Sequence, residues 1–417
     1  MGRIGWIDFS ATHRERVNAV LDFLQEEGTI DELGIGAIRN ALSDFFFPGI
    51  STIQTRAKYF FIILRIIRDY QWKYKGMAGR PKLSDYLREK ENRLIRQLAK
   101  QYQGADEYGI IGITLANAPA GKELARKPSS IYWNGLRVHG IIRTPLTLNE
   151  YLRKHEKGYS SIRDILQATG DSAGDDRDAG QVDEFGIDLP NHSFNWEQDI
   201  SIELTKAEAE FLRDKMVDTS PWAGKDGNNL LRQVLLDNRR MELFIQAANF
   251  QDMARVLIEN SLPQPTIERL HLALDFDQLM HGAHIRYNCL VQNKCGHAEK
   301  REEFEQQWEQ WREELIASEI MQRFNIDFLL NDVAAQAKPF TRLFIKGWFM
   351  AVSEGATNLE RLNQLVKGQE VKNKGKKARL HAGTQDAVRD WVGIRNLQYR
   401  FFNGKTIVAD IKNGLNK

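Results

Sequence analysis

Residues 51–74 read STIQTRAKYFFIILRIIRDYQWKY, and this stretch decides the fold class. Ile53, Ala57, Phe60, Phe61, Leu64, Ile67 and Tyr70 recur at helical spacing, while Ile62, Ile63 and Ile66 fill the remaining sides. Roughly twenty residues without a breaker are too long for a buried strand, so the pattern predicts a helix from Ser51 or Thr52, apolar nearly all round and wrapped by other elements. Pro48 and Gly49 make the turn before it.

Helix signals continue on both sides. Thr12 with Glu15, Thr147 with Glu150, and Thr205 with Glu208 have the spacing of capping boxes, in which each side chain satisfies an orphan amide of the first turn. Val17, Val20, Leu21 and Leu24 follow Thr12 on one face, and Gly28 is placed as a stop. Apolar periodicity predicts further helices over 83–103, 131–138, 206–217, 230–238, 241–248, 250–260, 266–292, 298–318 and 340–354. Residues 109–114 and 405–409 read as short strands, Gln369 to Lys377 as a polar linker, and the surroundings of Val388 as a short helix. The expected fold is mainly α and multi-helical, two helical units with a few short strands. The expected divisions are an N-terminal helical unit (1–168), an acidic flexible loop (169–190), a larger helical unit (191–368) and a basic C-terminal segment (369–417).

A chain of 417 residues with 42% hydrophobic and 27% charged residues has ample material for a core, which excludes disorder throughout. Its net charge of +2 hides a segregation. Residues 56–100 carry thirteen Lys or Arg against four acids, and 361–417 again thirteen against four. Most of the compensating negative charge lies in 171–210, where twelve acids face Arg177 and Lys206. Such separation either creates local potentials that attract phosphates or lets one part of the chain dock on another. Two cysteines, Cys289 and Cys295, make no disulfide framework, so a reducing, cytoplasmic setting is expected. The greasiest run, Tyr59 to Ile67, contains Arg65 and ends at Arg68, short of the roughly 18 residues a membrane span needs, so no membrane partner is expected.

Three chemistries present themselves. The first is contact with nucleic acid: cations interleave with Tyr59, Tyr70, Trp72 and Tyr74, a pattern able to track phosphates while the rings stack on bases. Arg56, Lys58, Arg65 and Arg68 are candidates there. Arg80 joins them as a minor-groove hook in Gly79-Arg80-Pro81, and Arg137 on a recognition helix over 130–138. Against this stands the plain reading of solvated helix faces and a loop turned by proline. The second is metal: His271, His281, His284, Cys289, Cys295 and His297 lie close in sequence, but their spacing matches no zinc pattern, so no metal and no cofactor are expected. The third is hydrolysis: Asp275 with Asp277, or Asp327 with Asp332, have the ligand chemistry for magnesium in a nuclease, although acidic pairs on helix surfaces are commonplace. Nucleotide-loop, dinucleotide, zincin and serine-elbow motifs are all missing from the chain.

Gly5-Trp6-Ile7-Asp8-Phe9-Ser10, Phe47-Pro48-Gly49 with the run from Ser51 to Phe60, Ser130 to Arg137, and Leu279-Met280-His281-Gly282-Ala283 together resemble a bacterial domain-of-unknown-function family. The matching stretches span roughly two-thirds of the chain. The resemblance implies an antiviral defence setting, since members sit in phage-defence gene clusters with helicase, methyltransferase and phospholipase-D-like genes. It brings no catalytic residues. The expected function is a non-enzymatic component that binds nucleic acid or bridges partner subunits such as a helicase or methyltransferase. The alternatives are a scaffold without nucleic acid and a metal-dependent nuclease.

Overall fold

The apolar stretch becomes a helix over Tyr59–Lys73, and every side chain from Tyr59 to Ile67 is buried. It begins later than Ser51 because the amides ahead of it are satisfied by tertiary partners. The Thr55 and Arg56 N–H groups donate to the Tyr132 hydroxyl at 2.8 and 3.0 Å, and the Ala57 N–H donates to Asp410 Oδ2 at 2.8 Å. With those donors held from outside, residues 51–57 stay out of the helix.

The computed structural model describes residues 31–75, 77, 79–103, 109–113, 119, 122–124, 126–156, 185–191, 195–218, 228–381 and 390–417. Its principal helices are α1 (Gly36–Phe46), α2 (Tyr59–Lys73), α3 (Leu83–Gln101), α4 (Pro128–Val138), α5 (Leu148–Glu156), α6 (Lys206–Val217), α7 (Leu230–Leu235), α8 (Asn238–Gln246), α9 (Phe250–Ile258), α10 (Gln264–Cys295), α11 (Ala298–Ala317), α12 (Pro339–Ser353), α13 (Leu359–Lys374) and α14 (Phe401–Leu415). The fold is mainly α. Among the described residues no strand occurs, and β pairing is an isolated bridge between Ile142 and Ile187. The chain divides into two compact units, each made of segments distant in sequence. One joins Met1–Phe46 to Ala247–Phe401, the other Phe47–Gln246 to Phe402–Lys417.

In the first unit α10 and α11 form a helical hairpin closed at Gly296, whose left-handed φ of 74° ends α10. Trp308 and Trp311 on α11 stack at 4.7 Å, and Trp348 of α12 approaches Trp308 at 6.2 Å. The indole nitrogens of Trp311 and Trp348 donate to the carbonyls of Gln278 and Leu279 at 2.8 and 2.9 Å. Gly282 is what lets this ring system touch α10, because a Cβ there would stand 2.3 Å from Trp311. The small residues at His281-Gly282-Ala283 are thus a helix-approach site.

In the second unit α2 is the centre. Tyr132 of α4 packs edge-on against Phe60 at 5.0 Å, and Gly135 brings α4 so close that a Cβ would sit 2.6 Å from the Gly49 carbonyl. The boxes at Thr205/Glu208 and Thr147/Glu150 form as their spacing predicts, whereas Thr12/Glu15 lies outside the described residues.

Three local expectations differ. Lys405 to Ala409 lies inside α14, where Ile407, Val408 and Ile411 are buried at helical spacing rather than alternating. Gln369 to Lys374 completes α13: Gln369 Nε2 donates to the Leu33 carbonyl at 2.7 Å, and Glu370 accepts from the Tyr287 hydroxyl at 2.9 Å. Polar side chains there serve buried partners, which a composition-based reading takes for a linker. Gly109 to Ile113 forms turns with positive φ at Gly109 and Gly112, and Thr114 lies outside the described residues. Of the acidic loop, residues 185–190 are described: Phe185 and Ile187 are buried, and Arg143 N–H donates to Gly186 O at 2.8 Å. Val388 lies outside the described residues.

Candidate functional site

The capping box at Thr205 places Glu208 on the first turn of α6. Its carboxylate meets Lys58 Nζ at 2.8 Å through one oxygen and Arg65 Nη2 at 2.8 Å through the other, and all three side chains are buried. Burial pushes the Glu208 carboxyl up, but the two cations outweigh it and hold it below its ordinary value. Burial also lowers Lys58 and Arg65, more than Glu208 raises them. Arg56 grips Asp410 of α14 with its fork, Nε at 3.0 and 2.9 Å and Nη2 at 2.7 Å. Here burial lowers the guanidinium, yet Asp410 holds it above its usual range. The structure therefore brings Lys58 and Arg65 together on a shared carboxylate and ties Arg56 to α14. These three cations are spent inside the unit.

The other three candidates are committed to main-chain carbonyls. Arg68 Nη2 donates to Ile187 O at 2.7 Å with its guanidinium 6.0 Å from the Trp72 ring. Arg80 Nη2 donates to His155 O at 3.2 Å. Arg137 folds back from α4 onto the carbonyls of Thr144 and Pro145 at 3.3 and 3.1 Å. Sequence reasoning overlooked Glu208 and Asp410 as counter-ions, since both lie far along the chain from the cations they meet.

His281 and His284 of α10 each meet a main-chain carbonyl. His284 Nδ1 lies 2.8 Å from Met280 O and His281 Nδ1 3.0 Å from Arg395 O, and burial takes His284 down to about 4. His297 Nδ1 sits 2.8 Å from Gln292 Oε1, and burial raises the Cys289 thiol to about 12. Asp275 pairs with Arg323 at 2.5 Å, Asp277 accepts from Leu397 N–H at 2.6 Å, and Asp327 pairs with Lys346 at 3.3 Å. Among the described residues no three His, Cys, Asp or Glu side chains converge on one point.

Two of the cavities bear on binding, and they lie in different units. Between α12 and α13, Phe340, Leu343, Phe344, Leu365 and Gly368 line a cavity of about 280 Å³ with Arg361 and Lys372 at its polar side. Leu343 is 69% and Met350 55% exposed, seven residues apart on α12 and thus on one helix face. That spacing was readable beforehand, but its outward direction was not. In the second unit, a larger cavity of about 530 Å³ is lined by Asp69, Trp72, Lys73, Tyr86, Lys90 and Glu197 among others.

Glu91 of α3 is a structural group with a measurable signature. It accepts from the Ser129 N–H at 2.7 Å and the Ser129 hydroxyl at 3.0 Å at the start of α4, and burial raises its pKa to about 7. Because the folded value exceeds the unfolded one, its contribution is fully present below about pH 4.5 and is lost as pH rises through about 7. Urea unfolding should show stability falling by on the order of 2 kcal/mol from this group between pH 5 and 8. Glu91→Gln should flatten that part of the profile, and an unchanged slope in the variant would refute the assignment.

Among the described residues no helix is long and apolar enough to cross a membrane. No curated protein and no solved structure matches the chain. A family model does match, over residues 1–402, and with it the chain belongs to the Family of unknown function (DUF6361).

Proposed function

We propose that the protein is a bridging component that docks an acidic amphipathic helix of a partner protein into the groove between α12 and α13. The carrying observation is the outward apolar face of Leu343 and Met350 beside the cavity closed by Leu365 and Gly368. Apolar surface of this kind, rimmed by polar groups, is what helix-in-groove recognition uses. Charge selects the partner: residues 338–377 hold nine Lys or Arg against three Glu, and Lys367, Lys372, Lys376 and Lys377 are exposed. An acidic helix laid there gains complementary contacts at the rim and buries its apolar face in the groove. The pairing of Arg56, Lys58 and Arg65 with carboxylates of the same unit favours this reading over phosphate contact through the six basic candidates. The resemblance to a family whose members sit in phage-defence clusters supports a helicase or methyltransferase encoded alongside as the partner.

The test is co-expression with those neighbours followed by size-exclusion chromatography, beside fluorescence anisotropy with a synthetic helix bearing Leu at i, i+3, i+4 and i+7 and Glu elsewhere. Leu343→Glu should weaken both associations about thirtyfold or more, as loss of a central anchor does. Binding that is equal in the variant, or equal for a Lys-substituted helix, would refute the proposal; self-association through the same face would replace the partner by a second copy.

A further inference from the structure

The cavity at the C-terminal end of α2 has the composition of a ligand site that the bridging role does not use. Its volume of about 530 Å³ lies in the range of small-molecule sites. Trp72, on its wall, is 54% exposed, an unusual placement for so large a ring. Tyr86 stands on the same wall, held by Tyr70 at 5.4 Å and Tyr74 at 5.8 Å.

Asp69 contributes a carboxylate. Its Oδ2 accepts from the buried indole of Trp196 at 2.8 Å, which fixes the group in place, and among the described residues no donor meets its Oδ1. Burial raises its pKa above the ordinary value, although the Trp196 hydrogen bond and the charges of Lys90 and Arg65 pull it down. Glu197 differs: Lys90 meets it at 2.6 Å and Arg93 pairs with it as well, so its charge is answered within the protein. Lys73, on the wall, and Lys75 beyond it are exposed and carry no ion pair among the described residues. The exposed amides of Asn195 and Gln198 complete the lining.

This combination separates ligand classes. A cage for a quaternary ammonium would exclude cations, yet Lys73 and Lys90 line this cavity. An anion alone would have no use for an exposed indole and a carboxylate with an open oxygen. A planar heterocycle with N–H donors on its edge and an attached phosphate satisfies all of them. We infer that the cavity is a nucleotide site, in which a guanine base stacks on Trp72, its N1–H and amino group donate to Asp69, and its phosphate lies toward Lys73. Guanine is preferred because it presents two adjacent donors to one carboxylate, whereas uracil presents acceptors on either side of a single donor. The same chemistry is offered by a free nucleotide and by a guanine of a single strand, whose backbone would continue past Lys75.

Isothermal titration calorimetry of the full chain with GMP, with UMP and with a guanine-containing single-stranded hexanucleotide tests the site. GMP should bind at least tenfold more tightly than UMP. Trp72→Ala should weaken GMP about ten- to a hundredfold, the loss of one base–aromatic stack. Asp69→Asn should remove the preference for GMP over UMP while leaving the stack, and Leu343→Glu, which disables the α12 groove, should change nothing. Heat from GMP identifies a free nucleotide as the source; heat from the hexanucleotide alone, still lost in Trp72→Ala, identifies a single strand. The exposed position of Trp72 leaves the fold intact, which a wild-type circular-dichroism spectrum of the variant checks. No heat from either probe, or wild-type binding by both Trp72→Ala and Asp69→Asn, overturns the inference and leaves the groove reading untouched.

Discussion

Glu208→Ala is expected to destabilise the protein by about 3–5 kcal/mol, the cost of leaving buried charge without its partner. Two cations depend on this carboxylate, Lys58 and Arg65, each 2.8 Å from one of its oxygens and each buried. The substitution also removes the capping box, in which Glu208 accepts the Thr205 N–H at 2.7 Å. The two losses separate experimentally. Glu208→Gln keeps a side chain that accepts the amide and discards the charge, so most of the destabilisation should persist in it. Lys58→Met, Arg65→Met and Glu208→Leu combined should recover much of the stability, since an apolar replacement of a whole buried ion cluster is often neutral or better. A drop in the urea midpoint smaller than that of an exposed pair such as Arg88 with Asp85 would show that the cluster is not the electrostatic anchor described here.

Trp348→Ala should cost a similar amount, about 3–5 kcal/mol, by emptying the centre of the first unit. Trp348 is fully buried, its indole N–H bonded to Leu279 O at 2.9 Å and its ring beside those of Trp308 and Trp311. Deletion leaves a void and removes a hydrogen bond that ties α12 to α10. Trp348→Phe should recover most of the packing and lose the hydrogen bond, placing it between wild type and alanine. The measurement is thermal or urea unfolding followed by tryptophan fluorescence. An alanine variant within 1 kcal/mol of wild type would mean that α10 and α12 close over the gap.

Local signals were legible wherever the answer lay within one or two turns of chain. The bounds of α6 follow from Thr205 and the apolar positions behind it, and the helices expected over 266–292 and 298–318 become the hairpin of α10 and α11. Charge arithmetic was a poorer guide. The basic run of 56–100 gives no sign of which cations are buried: Lys58, just ahead of α2, and Arg65 on it lie in the interior and pair with Glu208. Glutamine and glutamate in 369–374 looked like solvent-loving linker because their partners, Leu33 and Tyr287, are remote in sequence.

Sequence alone determined a mainly helical protein and the positions of most of its helices, because hydrophobic period and capping are properties of neighbouring residues; membership of a domain family came from the likeness of whole stretches. Tertiary structure decided which distant segments share a unit, which carboxylates quench which cations, and that Leu343, Met350 and Trp72 face outward. Those outcomes depend on which surfaces meet across hundreds of residues, and the energy of a charge or a ring is set by what surrounds it rather than by where it stands in the chain.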